Sequence, residues 1–373
     1  MKSLNDIALP ITEEEYRADG TMHYSTITTF ERGGFYSIPT LFERKESPSL
    51  LFGSVLDCMI TGTDAEFESL YYVADCPELV DKIASVVKAL WGLYKTEYFR
   101  IYDIPDIVII ATLDEVDYGK SWKRETRVNK IKNEACNEYY TLLTIAADKT
   151  LIPSAVYNDA IKCAAALHDS PATGPLFAPN NPFDGIERLY QIKFRSYVKK
   201  LGEGEYDIIS DNTPTVNAEL LKQEYVPFTS MMDLVYVDHN KKIILPVDLK
   251  TSSHYEAEFE KSFIDWQYSY QARSYIHNLC SALEKDDYFK DFKVLNYHFV
   301  VVNKKTCTPL VWEYEDTFDM NTLYYGRNNQ IVCRHPFEAG IELNYYLTHP
   351  EVTIPLGIFI NKPNSLTKKL KNL

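Results

Sequence analysis

The chain has 373 residues, with 39 Lys and Arg against 53 Asp and Glu and a formal net charge of −14. That balance excludes a histone-like or tail-driven nucleic-acid binder, whose affinity rests on bulk positive charge, but leaves room for an enzyme with a local basic groove. Hydrophobic residues at 45 % and charged residues at 25 % are globular proportions and exclude wholesale disorder.

No window reaches the ~18 consecutive apolar residues of a membrane span, and Met1-Lys2-Ser3-Leu4-Asn5-Asp6 lacks a charged-then-apolar signal pattern. The cysteines Cys58, Cys76, Cys136, Cys163, Cys280, Cys307 and Cys333 are odd in number and scattered, with no CxxC. A disulfide framework or zinc ribbon is therefore not expected, and a reduced, cytoplasmic setting is.

In chain order, residues 24–30 carry Ser and Thr placed to cap a short helix. Residues 49–60, with Gly53 and Asp57, read as a helix. Residues 78–100 and 113–148 read as longer helices, separated by the apolar segment 102–110, whose run at 107–112 has strand length. A further helix over 154–168 ends before the Pro-, Gly- and Asn-rich loop 169–184, the best internal boundary. The pattern then turns to β, with strands over 187–199, 231–237 and 242–249. A long helix over 256–283 follows, then strands over 294–302 and 309–314. Helices, a hairpin, a helix and more strands predict an α/β (α+β) protein with a central mixed β-sheet flanked by helices. Its parts are a mainly helical N-terminal stretch (1–184), a core (185–315) and a C-terminal extension (316–373), together one composite domain.

The hairpin carries the chemistry. Folded symmetrically about the Asn240–Lys241 bond, it sets Asp233 opposite Asp248, with Lys250 on the face of Asp248. Two carboxylates so placed repel. A divalent cation removes the conflict, and oxygen ligands suit Mg²⁺; the Lys250 ammonium then steadies an attacking water or a developing phosphate charge. The alternative is an ordinary surface ion pair, but Leu234, Val235, Val237, Ile243, Ile244, Leu245 and Val247 surround these charges with apolar bulk, where unpaired charge is costly. Pro246 must then occupy a bulge or a non-bonding position. Glu219 and Glu224, just upstream, read as solvated carboxylates.

Asp233 followed by Asp248-Leu249-Lys250 resembles the D…(D/E)xK core of the PD-(D/E)XK nuclease superfamily. Gln271-Ala272-Arg273-Ser274-Tyr275 is similar to the QxxxY motif of its RecB-like and lambda-exonuclease-like branch, with Gln271 and Tyr275 on one helical face. Phe52-Gly53-Ser54-Val55-Leu56-Asp57 resembles the GxxxH segment of that branch, with Asp57 in the place of His, a hard ligand suited to Mg²⁺ or Mn²⁺. The resemblance covers residues 22–62 and 185–315.

It implies a restriction-endonuclease-like core in which Asp57, Asp233, Asp248 and the Leu249 backbone carbonyl hold Mg²⁺, with Mn²⁺ able to substitute. Lys250 would orient or activate water, and Gln271 and Tyr275 would position the strand. The implied activity is that of a stand-alone phage or mobile-element DNA exonuclease, hydrolysing phosphodiester bonds from DNA ends in recombination, repair or replication-linked processing. Its implied setting is the cytoplasm of a bacterial host, with DNA ends and a single-strand annealing or binding protein as partners. Ring-shaped trimers occur in that branch, so a homo-oligomer is an open expectation. Two alternatives stand beside this one. The first is a site-specific endonuclease on the same core, with 63–184 as its recognition element. The second is a non-catalytic DNA-binding or interaction protein whose degenerate site is marked by Asp57.

The densest basic run, 120–132, offers Trp122 for base stacking and Lys123, Arg124, Arg127 and Lys130 for a phosphate backbone. The solvated face of a long helix accounts for it equally well. Lys368, Lys369 and Lys371 read as a frayed basic tail. The histidines form no HxxxH or HxH and no GxxxxGK[ST] occurs, so neither zinc catalysis nor a helicase motor is expected.

Overall fold

The structure is a computed structural model and describes residues 1–42, 47–252, 255, 258–315, 322–325, 329–332 and 334–353. Lys368, Lys369, Lys371, His254 and Cys333 lie outside the described residues. The chain divides into two units, residues 1–47 with 166–373, and residues 48–165.

The first unit begins with α1 (Glu13–Ala18) and α2 (Tyr24–Gly33). Thr12 and Glu15 cap the start of α1 reciprocally, each satisfying an amide that the helix leaves bare. The expected hydroxyl cap of α2 is not formed. His23 is its N-cap and makes no side-chain capping hydrogen bond, its ring being turned to Asp19, and Thr28 and Thr29 lie inside the helix, donating back to the Ser25 carbonyl.

The second unit is mainly helical: α3 (Pro48–Thr61), α4 (Asp64–Leu70), β1 (Tyr71–Val73), α5 (Asp81–Tyr94), α6 (Asp106–Glu115), α7 (Arg124–Ile131), α8 (Glu134–Ala146), β2 (Thr150–Ile152) and most of α9 (Ser154–Asp169). β1 and β2 pair in parallel. The apolar run at 107–112 is helix rather than strand. Pro105 at the N-cap and Asp106 in the first turn start α6, and Ile109 and Leu113 bury beside Val86, Val87, Leu90 and Tyr140. A short apolar run does not by itself separate the two periodicities. The single helix expected over 113–148 is broken where Asp117 and Gly119 take positive φ, and Asn133 caps a fresh start at α8.

Beyond α9 come α10 (Gly174–Phe177), β3 (Ile186–Gly202), β4 (Glu205–Ser210), α11 (Ala218–Lys222), β5 (Val226–Asp238), β6 (Ile243–Ser252), α12 (Phe259–Asp265), α13 (Tyr268–Glu284), β7 (Lys293–Val294), β8 (Tyr297–Asn303), β9 (Leu310–Tyr314), β10 (Thr322–Tyr325), β11 (Asn329–Val332) and α14 (Pro336–Thr348). A seven-stranded sheet runs β4-β3-β5-β6-β8-β9, with β7 beside β6. β6 is parallel to β7 and β8, and the other neighbours are antiparallel. The protein is thus mixed α/β, a central mixed sheet flanked by helices.

The sheet unit includes residues 1–47 because these complete its edges and core. Met22 exchanges backbone hydrogen bonds with Pro227 and Thr229, and Leu9 N–H donates to Lys193 O. The loop after residue 169 therefore marks where helices give way to strands, whereas the units divide at 47/48 and 165/166. The long helix expected over 256–283 is two helices, α12 and α13, parted at Gln267, whose φ of 56° is left-handed.

α13 is buried nearly all round, as a helix between two apolar layers must be. Ala272, Tyr275 and Leu279 join a core with Phe194, Met232, Val235 and Phe299. Tyr270 joins another with Phe30, Phe228, Phe337 and Leu343.

Candidate active site

β5 and β6 form the hairpin read from the sequence, in the expected register: Leu234 opposes Val247 and Val237 opposes Ile244. The ladder ends at Leu234 and Val247, one step before Asp233 and Asp248. On the other side of β5, the pairing with β3 skips Gln191, opposite Asp233, where Gln191 has a φ of 51°. Asp233 therefore sits where regular pairing is interrupted on both flanks. Its Oδ2 accepts the Leu249 backbone N–H at 2.9 Å, a side chain standing in for a ladder partner. Pro246 falls in the interval where β6 leaves β7 and has not yet met β8, a position at which its missing N–H is harmless.

Asp248 is 1 % exposed. Gln271 Nε2 donates to its Oδ1, and its Oδ2 stands 2.6 Å from Lys250 Nζ. That ion pair lies off the hydrogen-bond direction, and Oδ2 has no hydrogen-bond partner among the described residues. Alternation along β6 puts both side chains on one face. The Lys250 ammonium lies over the Tyr268 ring, 4.7 Å from its centroid. Burial alone would lower the Lys250 pKa, but Asp248, with Tyr268 and Asp233 behind it, raises it above the ordinary value. Lys250 is thus held as a cation.

Tyrosines line this group. Tyr275 is buried on α13, one turn after Gln271, and its hydroxyl shares a hydrogen bond with Tyr16 of α1. Tyr297, at the start of β8, is fully buried with its hydroxyl unpartnered among the described residues. Burial raises the pKa of Tyr275 and of Tyr297, and Asp248 and Asp233 raise both further. Tyr24 and Tyr268 are also raised, by burial first, with Lys250 acting the other way. All four remain neutral hydroxyls at physiological pH. Sequence reasoning missed Tyr16, Tyr24, Tyr268 and Tyr297. Tyr268 lies one turn before Gln271 and could have been found by helical spacing; Tyr16 and Tyr24 come from segments placed only by tertiary packing.

The structure thus brings Asp233, Asp248, Lys250, Gln271 and Tyr275 together in the first unit. Asp57 belongs to the second unit, half-buried on α3. Among the described residues, no group of three or more His, Cys, Asp or Glu side chains is arranged to hold a metal ion. A divalent cation nevertheless fits the donors of the first unit. Mg²⁺ binds through one or two carboxylates and takes its other ligands from water and substrate phosphate. Buried Asp248 Oδ2 and Gln271 Oε1 are both acceptors lacking hydrogen bonds among the described residues.

Of the basic run, Trp122, Lys123, Arg124 and Lys130 are exposed, and Lys130 approaches the Trp122 ring. Arg127 corrects the expectation. It is 6 % exposed and donates to Asp114 at 2.8 Å and to the Tyr118 carbonyl, because its place on α7 faces the apolar side with Val128 and Ile131. Its guanidinium braces the α6–α7 turn and offers nothing to a phosphate. Glu219 and Glu224 are exposed and paired with Lys222 and Lys199.

No helix among the described residues is long and apolar enough to cross a membrane. Comparison with protein-family models, with curated proteins and with solved structures gives no match.

Proposed function

We propose that the chain is a Mg²⁺-dependent nuclease that hydrolyses phosphodiester bonds from DNA ends. The observation that carries this reading is the buried Asp248 carboxylate, fixed by Gln271 on one oxygen and facing Lys250 on the other. Asp233 completes the group from the adjoining strand. Structural ion pairs seldom combine a buried carboxylate, a caged ammonium and unpartnered acceptors, whereas a hydrolytic site uses all three.

Asp233, Asp248 and the Leu249 carbonyl would hold Mg²⁺ or Mn²⁺. The ion, when bound, supplies Lewis acidity at the phosphate and a water of lowered pKa. The residues of the chain do the rest. Gln271 restrains Asp248 to one rotamer and leaves its second oxygen for the site. Lys250, kept protonated by its carboxylate neighbours, orients the attacking water and opposes charge developing on the phosphate oxygens. Tyr275, tied to Tyr16, closes the apolar side of the site and keeps bulk water from the carboxylates.

The test is purified protein with Mg²⁺ or Mn²⁺ on linear and on closed circular DNA. Loss of the linear form alone supports an exonuclease. Cutting of the circle shifts the reading to an endonuclease on the same core. Intact DNA of both kinds, with both ions, defeats it.

A further inference from the structure

The break between α12 and α13 separates two aromatic residues with different surroundings. Tyr268, just after it, lies under the Lys250 ammonium and stacks on Phe259 and Phe299 at centroid distances of 5.7 and 5.8 Å. Trp266, just before it, is 53 % exposed. Between them Gln267 takes a left-handed φ of 56°, a conformation a non-glycine residue adopts only where its surroundings enforce it. The Gln267 Oε1 atom is buried with no hydrogen bond among the described residues. Tyr24 O–H donates to the Trp266 carbonyl at 2.8 Å, fixing the turn from the α2 side.

The exposed indole has company. The Arg32 guanidinium of α2 lies over its ring, 4.8 Å from the centroid. Arg32 is itself exposed and makes no ion pair among the described residues. Its charge is felt at both Tyr24 and Tyr268, the residues that flank Lys250. A cation without an ion pair among the described residues, stacked on an exposed indole that Gln267 alone separates from the Tyr268 beneath Lys250, matches a nucleotide in both its parts: aromatic base and phosphate.

We propose that Arg32 and Trp266 form a stacking platform for an unpaired nucleotide of the substrate strand, the base on Trp266 and the phosphate against Arg32. This rests on the nuclease reading of the neighbouring site and adds to it a specific ligand, a single-stranded end. A strand held there passes the Tyr268–Lys250 side of the site. The platform favours frayed or single-stranded termini over blunt duplex because an unpaired base is free to turn out and lie flat on the indole, whereas a paired base is held in its own stack.

The experiment uses the full chain with Ca²⁺ in place of Mg²⁺ and a short fluorescein-labelled single-stranded oligonucleotide, read by anisotropy. Hydrolysis of the same oligonucleotide is followed separately with Mg²⁺. Trp266→Ala should weaken binding about tenfold, and Trp266→Phe should recover most of it, since stacking tolerates any aromatic face. Arg32→Gln should weaken binding and lower the salt slope by about 0.7. Both side chains are exposed, so an unchanged circular dichroism melt accompanies each variant. Hydrolysis with Mg²⁺ but undiminished binding by Trp266→Ala overturns the platform and leaves the nuclease standing. Oligonucleotide binding lost with Trp266, in a protein that hydrolyses nothing, keeps the platform and removes the nuclease.

Discussion

Asp248 and Lys250 stand two residues apart on one face of β6, with Oδ2 and Nζ separated by 2.6 Å and only 1 % of the carboxylate exposed. Asp248 keeps Lys250 charged where a lone ammonium would be expensive to bury. Removing one partner of such a pair leaves an uncompensated charge, at about 3–5 kcal/mol. Lys250→Ala should therefore lower stability by an amount of that order as well as abolish hydrolysis, seen as a fall in the denaturation midpoint at neutral pH. The double variant Asp248→Asn with Lys250→Met should recover most of the stability and none of the activity.

The Lys250 pKa is raised above 10.5 despite burial, by Asp248 above all. A raised amine pKa means that the ion-pair stabilisation is fully present below the unfolded value and is lost only as pH climbs through the folded one. Hydrolysis between about pH 7 and 10 should then show no limb that shifts with residue 250. The pH–rate profile of the parent beside Lys250→Arg is the check: a rate that climbs with pH below 10 in the parent, together with an inactive, permanently charged Lys250→Arg, would show that Lys250 works as a neutral base instead.

Gln271 donates to Asp248 from a buried position. Gln271→Glu replaces that donor with a second carboxylate, which repels Asp248 and lacks solvent, so its own folded pKa is driven above the unfolded value. Destabilisation is then fully present above the raised folded pKa and is relieved as the pH falls through it towards the unfolded value and the new group protonates. Urea midpoints at pH 8 and pH 5 should differ more for Gln271→Glu than for the parent, with the variant closer to the parent at pH 5.

His335 lies far from these residues in the chain and gives the protein a separate pH response. Burial first, then Arg273 and His277, depresses its pKa from 6.5 to about 2; its Nδ1 accepts the Phe337 N–H at the start of α14, and its ring stacks on Tyr206. The folded protein keeps it neutral while the unfolded chain protonates it below pH 6.5. Its contribution is thus present above that pH and declines as pH falls, by up to ~1.4 kcal/mol per pH unit. His335→Gln should flatten the stability profile between pH 6.5 and 5, measured by thermal melts; an unchanged slope would place the response elsewhere.

α14 approaches the sheet through Gly340, where an added Cβ would come within 2.3–2.5 Å of the Phe228 ring. Phe228 is itself buried among Phe337, Leu343 and Tyr270, leaving it little room to move. Gly340→Ala should cost about 1–3 kcal/mol, read as a lowered denaturation midpoint, and Phe228→Leu in the same chain should return part of it.

Much of the sheet was legible in the sequence because strand periodicity and the Asp238–Lys241 turn determine register locally: the observed pairing of Val237 with Ile244 follows from the turn alone. Asp233, Asp248 and Lys250 follow from that register, and Gln271 and Tyr275 from the resemblance to the QxxxY motif, with helical spacing placing the two on one face. Tertiary placement was not legible. Tyr16 and Tyr24 reach the site because residues 1–47 pack on a sheet that begins some 140 residues later, and no local pattern encodes that docking. The apolar run at 107–112 misled because its length fits either element, and Pro105 with Asp106 decided for helix. Arg127 misled because its charge hid its place on the buried side of α7.

The most direct measurement is release of acid-soluble nucleotides from linear DNA by the purified chain with Mg²⁺ or Mn²⁺, beside Asp248→Asn and Asp233→Asn proteins shown to be folded. The expected result is release by the parent, suppressed by chelator and reduced at least ~100-fold in both variants. Equal release by parent and variants, or none from the parent with either ion, would contradict a hydrolytic site built on these two carboxylates.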